Sequence, residues 1–190
     1  MKITKSKIIL ITLYFLIIIL LSITIISNIY NSNNIIKNSQ CITVEKLVEV
    51  RGSSLSGIIE PSENIKILIN YYECNQVERN DIVAYNFTGN EVPIIKIVKG
   101  IEGDKFQLKK IDNCYNILIN NKIVKNSKNI PYCINEQGYR MLSLYEKDYN
   151  NIIPKNTYLL LGNLATGSTD STRFGLVDKS DFIGKVIKVK

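Results

Sequence analysis

Nineteen consecutive residues, Ile8 to Ile26, carry no charge, glycine or proline. As a helix, at 1.5 Å per residue, they would reach roughly 28 Å, about the thickness of a bilayer's hydrocarbon core. Lys2, Lys5 and Lys7 precede the run and no basic residue follows until Lys37. Excess positive charge stays cytoplasmic, so the sequence predicts a cytoplasmic segment 1–7, a transmembrane helix 8–26 and an exported remainder. The run is longer than the apolar core of a cleaved leader, and the Ser27–Asn34 stretch has no small-x-small exit. An uncleaved anchor is therefore expected, with an Asn-rich linker over 27–40 and one folded domain over 41–190, long enough to bury a real core.

Composition narrows the chemistry. The chain has no histidine. Ser-His-Asp and Cys-His catalysis are excluded, because no imidazole can take a nucleophile's proton. A serine hydrolase built here needs another base, and a desolvated lysine amine can supply one. The net charge is +7, but the lysines are scattered among Ile and Asn without a dense basic block. That pattern argues against nucleic acid and fits contact with anionic membrane lipids. Cys41, Cys74, Cys114 and Cys133 all fall on the exported side, where disulfides are permitted, and three pairings are possible. None forms a C-x-x-C pair, so structural bridges or buried thiols are expected, and neither a metal nor a cofactor.

Beyond residue 40, short apolar runs with a period near two are separated by Gly, Asn, Asp and Pro. They predict strands over 42–50, 65–71, 81–86, 94–98, 105–109, 115–119, 122–124, 157–161 and 182–189, with Asn120-Asn121 as a hairpin turn. Only 139–150 suggests a helix. The predicted fold is mainly β, a curled antiparallel sheet forming a barrel-like catalytic domain. Residues about 107–155, rich in Asn, Tyr and Lys, read as a β-rich insertion.

Two residues stand out as chemically useful. In the strand Ile94–Val98, Lys96 shares a face with Ile94 and Val98 and is bracketed by aliphatic neighbours. Burial there would bring its pKa from about 10.4 toward roughly 7–8, where a neutral amine acts as a base. The competing reading is a lysine on an exposed edge strand, placed to block sheet-to-sheet pairing. Ser54 lies in Arg51-Gly52-Ser53-Ser54-Leu55-Ser56-Gly57. This is either a plain turn or one that points a nucleophile's own N–H at a developing oxyanion.

Taken in order along the chain, these stretches resemble the bacterial type I signal peptidases, membrane-anchored serine proteases with a Ser-Lys dyad. Val50–Leu55 stands where that family has Gly-x-Ser-Met, with Leu55 for Met. Glu78–Ala84 resembles its Arg-Gly-Asp-Ile-Val strand. Ile95–Asp104 follows Lys-Arg-Val-x-Gly-x-Pro-Gly-Asp, keeping Lys96, Gly100 and Gly103-Asp104. Tyr115–Val124 is similar to its Ile-Asn-Gly-Lys hairpin, and Gly162–Gly175 tracks Gly-Asp-Asn…Ser-x-Asp-Ser-Arg without a gap.

The resemblance implies Ser54 as nucleophile, Lys96 as general base and Ser168 as the group that orients the amine. It implies an oxyanion hole of backbone alone, since Gly52 stands where some relatives have a serine. Asp170 would brace the wall of the site, and Leu55 would shape shallow pockets and face the bilayer. Several positions depart from the family pattern: Gly57-Ile58-Ile59 replaces Pro-Thr-Leu, Ile97 the arginine after the base, Asn163-Leu164 the Asp-Asn, and Thr172 the last arginine. Arg173 is displaced by one residue.

The expected function is removal of leader peptides from exported preproteins at the outer face of the cytoplasmic membrane, by a monomer. Two alternatives are a peptidase dedicated to one substrate class and a degenerate, anchored binding domain.

Overall fold

The computed structural model describes residues 14–30, 43–87 and 92–189. Residues 14–30 form a helix, α1, in one compact unit, and residues from Thr43 onward form a second. Along α1 the large apolar side chains, Phe15, Ile19 and Ile26 among them, are exposed. The start of the expected span, 8–13, lies outside the described residues, as do 1–7 and most of the expected linker. The helix continues past Ile26 to residue 30, where the linker was expected to have begun. Among the described residues no helix is long and apolar enough to cross a membrane.

The second unit is built on a seven-stranded sheet ordered β1-β2-β10-β3-β4-β8-β9. Its strands are β1 (Val44–Glu49), β2 (Asn64–Ile69), β3 (Ile82–Tyr85), β4 (Ile94–Gly100), β8 (Thr157–Leu161), β9 (Val177–Asp178) and β10 (Phe182–Lys188). Every pairing is antiparallel. The expected barrel does not close: β1 and β9 remain as edges. A second sheet joins β5 (Phe106–Ile111), β6 (Cys114–Ile119) and β7 (Lys122–Ile123). Asn120 and Asn121, at φ 51° and 65°, make its tight turn, because Asn accepts the left-handed conformation that a two-residue hairpin requires. Helix α3 (Glu136–Asp148) begins at Asn135, whose side chain caps Gly138 N. Two one-turn helices, α2 (Tyr71–Cys74) and α4 (Ser171–Phe174), were not foreseen. Four residues are too few for periodicity to reveal.

Alternation of the strand residues divides the core. Ala84 of β3 and Ile97 of β4 pack with Leu55, Ile59, Ile65 and Ile67 on one face of the large sheet. Val83, Tyr85, Val98 and Leu160 pack with Tyr72 and Tyr158 on the other. Leu159 and Leu161 of β8 enter a third cluster with Phe106, Ile117, Tyr132 and Leu142, which seats the small sheet and α3. Strand β4 is thus covered on both faces and flanked by β3 and β8.

Two of the motifs that suggest chemistry act as braces. Arg79 grips both oxygens of Asp104 at 2.7 and 2.8 Å and donates to Lys99 O. Asp104 also accepts from Ile101 N and Asn120 Nδ2. Asp81 pairs with Lys185 at 2.6 Å and accepts from Tyr72 Oη and Glu78 N. Both carboxylates are buried and fully engaged, the condition under which a buried ion pair is tolerated.

Cys114 and Cys133 form a disulfide across a sequence separation of 19. Cys74 is also oxidised, and Cys41 lies outside the described residues. The sequence had left three pairings open. Closing a loop of this size restricts the unfolded chain by about 3 kcal/mol. Cys114→Ser/Cys133→Ser should therefore lower the unfolding free energy by about that amount, read by urea denaturation under non-reducing conditions.

Candidate active site

Ser54 sits in a compact turn between β1 and β2. Ser56 N donates to Ser53 O, and Ile58 N and Ile59 N both donate to Leu55 O. Gly57, at φ 91°, lets the chain reverse. Leu55 is 1% exposed and Ile59 is fully buried beneath the turn, against Ile97. This corrects the expectation that Leu55 faces the bilayer and lines a pocket: it is an anchor that nails the turn to the sheet. Ile97, where the family pattern has arginine, belongs to the same cluster.

Lys96, in mid-β4, is 3% exposed. The exposed-edge reading is excluded by the strands on both sides. Its Nζ lies 2.8 Å from Ser54 Oγ and donates to Ile95 O at 2.8 Å. Burial is the larger influence on the amine and lowers its pKa to about 8, while the negative charge of Asp170 works in the opposite direction. Displacement from 10.5 to about 8 corresponds to about 3 kcal/mol in favour of the neutral form over the ammonium. The Asp170 carboxylate makes its hydrogen bonds elsewhere and not to the amine: Oδ2 accepts from Gly162 N, and Oδ1 from Thr172 N and Thr172 Oγ1. Among the described residues no ion pair joins Arg173 to Asp170. Thr172, at the position of the missing arginine, satisfies the carboxylate without bringing a positive charge beside the amine.

Ser168 differs from expectation. Its Oγ is buried and has no hydrogen-bond partner among the described residues, and the amine is oriented by Ile95 O instead. Ser168 packs tightly on Gly162. A Cβ there would collide with Ser168 Oγ and lie 2.8 Å from Ser54 O, so only glycine fits between the two serines. A Cβ on Gly52, by contrast, would meet nothing within 4 Å. That glycine borders open space beside Ser54.

One residue was noted in the sequence only as a departure. Asn163 N donates to Ser54 O at 2.6 Å, and its Nδ2 donates to Ser56 O at 2.8 Å and Ser127 Oγ at 2.9 Å. Its Oδ1 accepts from Ser127 N, and its O from Asn126 Nδ2. Asn163 thus ties the serine turn to β8 and to the segment after β7. No motif could have revealed this, because the partners come from two distant stretches, 54–56 and 126–127. The only signal was an amide where a carboxylate was expected.

The dyad opens into a cavity of about 720 Å³, walled by β1, β2 and the start of β4, with Val48, Val50, Ile65, Ile67 and Ile95 supplying apolar surface. Leu47 and Val92 stand exposed on its rim. Among the described residues no group of acidic or cysteine side chains could hold a metal ion.

A seryl hydroxyl against a buried primary amine, with no imidazole in the chain, is the arrangement of a serine peptidase that uses lysine as its base. The family model described as signal peptidase, peptidase S26, matches residues 1–189, and the chain belongs to that family. Signal peptidase IB of Staphylococcus aureus is 29% identical over 148 residues, covering 72% of this chain and 73% of that protein. Signal peptidase I of Buchnera aphidicola subsp. Schizaphis graminum is 27% identical over 187 residues, covering 70% and 58%. A solved structure of a signal peptidase I from Enterococcus faecalis V583 aligns with 58% of this chain and 97% of that one, at 22% identity and a TM-score of 0.42.

Asn163→Asp keeps the size of the side chain but replaces two donated hydrogen bonds with an anion facing Ser56 O. Cleavage should fall by about 10- to 100-fold in kcat with KM little changed, since a displaced nucleophile loses positioning rather than binding. Steady-state kinetics on a preprotein peptide would read this split.

Proposed function

We propose that this protein is a membrane-anchored signal peptidase in which Ser54 attacks the scissile carbonyl and Lys96 is the general base. The carrying observation is the 2.8 Å approach of a buried Lys96 amine to Ser54 Oγ. The neutral amine accepts the Ser54 proton as Oγ bonds to the carbonyl carbon. The resulting ammonium then gives that proton to the departing amine, leaving an acyl-enzyme on Ser54. Lys96 next takes a proton from water, the hydroxide attacks the ester, and the ammonium returns a proton to Ser54 Oγ. The hydrogen bonds within the turn run from the N–H groups of Ser56, Gly57, Ile58 and Ile59, which leaves the Ser54 N–H outside them, and this supports its role as the oxyanion donor. Ser168 and Asp170 form the wall behind the amine, and Gly52 leaves the mouth open.

The substrate class follows from family membership and from the apolar cavity beside Ser54. Preproteins presenting small side chains at the first and third positions before the cut would lay their extended segment along β1 and β4. The uncharged run 8–26, with Lys2, Lys5 and Lys7 before it and no basic residue after it until Lys37, supports a single-pass anchor and a catalytic unit at the outer face of the cytoplasmic membrane. The anchor and the exposed apolar rim also support contact with membrane lipids. Several positions that depart from the family pattern are built into this chain, Ile59 and Ile97 by packing and Asn163 and Thr172 by hydrogen bonds, which speaks against a degenerate, binding-only domain.

Ser54→Ala and Lys96→Ala should each reduce preprotein cleavage by at least about 10²- to 10⁴-fold, and processing at the parental rate by either variant would refute the dyad. The pH dependence follows from the amine. Its lowered pKa means that the base is competent above about 8 and protonated below it. Accordingly kcat/KM should rise with pH, about tenfold per unit at first, and level off beyond about 8. A profile flat between pH 6 and 9 would assign the base elsewhere.

A further inference from the structure

A second cavity, of about 300 Å³, shares no lining residue with the first. The two approach each other at Gly162. The first contains Ser54 and Lys96, and the second contains Ser168, the residue that packs on Gly162 next to Ser54 O. An extended peptide advances about 3.3 Å per residue. A substrate whose residues before the cut fill the first cavity must continue past Ser54, and the adjoining hollow is the second.

The character of this hollow differs from the apolar groove. Asn135, Gln137, Thr166 and the orphaned, buried Ser168 hydroxyl contribute polar groups. Arg173, exposed in the last turn of α4, joins them and forms no ion pair with a described residue. Asp170, the acidic group in the wall, already accepts three hydrogen bonds and points its acceptors at Gly162 and Thr172. Of the two charged side chains in this lining, Asp170 is buried and Arg173 is the exposed one.

We propose that this polar cavity is the subsite for the substrate segment after the scissile bond, and that Arg173 favours an acidic side chain there. The proposal rests on the peptidase reading above. It assigns a part of specificity that lies in the mature protein rather than in its leader.

The test uses the full-length protein in detergent and preprotein peptides identical except for Asp, Asn or Lys at the first two positions after the cut. The expected kcat/KM ratio of Asp over Lys peptides is about three- to fivefold, the size of an exposed ion pair, and it should shrink as salt is raised. Arg173→Glu should reverse the order, and Gln137→Glu, in the same lining, should weaken it. Equal cleavage of the Asp and Lys peptides by the parent protein would overturn the subsite, as would an unchanged ratio in Arg173→Glu. Undiminished cleavage by Ser54→Ala would instead overturn the peptidase reading itself, so the two failures are distinguishable.

Discussion

The site depends on withholding water from one amine. A lysine in solution is charged far above neutral pH, and an ammonium cannot accept a serine proton. In this chain the amine is dried by topology: β4 is an interior strand with apolar clusters on both faces, and Lys96 is placed at its middle. The opposing influence is Asp170, and the fold limits it by giving that carboxylate neutral partners. The loss of two arginines relative to the family pattern, at Ile97 and Thr172, has a local rationale. One position became part of the packing beneath the serine turn, and the other became a hydroxyl that holds Asp170.

Placement of the serine is a separate problem, solved by different residues. Leu55 and Ile59 fix the turn vertically against the sheet, while Asn163 fixes it laterally through hydrogen bonds at two of its carbonyls. The two devices are chemically independent, one apolar and one polar. Together they give Ser54 Oγ a single position relative to an amine 42 residues away in sequence. Pre-organised geometry of this kind is what converts a weak hydroxyl nucleophile into a useful one.

Much of this was legible in the chain, and the boundary of what was legible is physical. The strands around Lys96 announced themselves through alternation because each has at least one buried face. The hairpin at Asn120-Asn121 announced itself through turn chemistry. The Ser54 and Lys96 pair followed from the missing histidine and the order of the motifs. What failed depended on contacts between remote segments. Leu55 took its lining role from the family resemblance, yet its neighbours in space are Ile97 and Ile65. Ser168 was given a bond to Lys96 that Ile95 O makes instead. Closure into a barrel was inferred from the number of strands, whereas the chain divides them between two sheets. Nothing local to Asn163 foretold its five hydrogen bonds.

The clasp at Asn163 has a consequence for the order of events in making this protein. The nucleophile is encoded early, but the groups that hold it arrive with residues 126–127 and 163. A nascent chain that has released Ser54 and Lys96 from the ribosome still lacks the fastening that gives them their geometry. On the proposed chemistry, the site is complete only once the last third of the polypeptide has been delivered and docked.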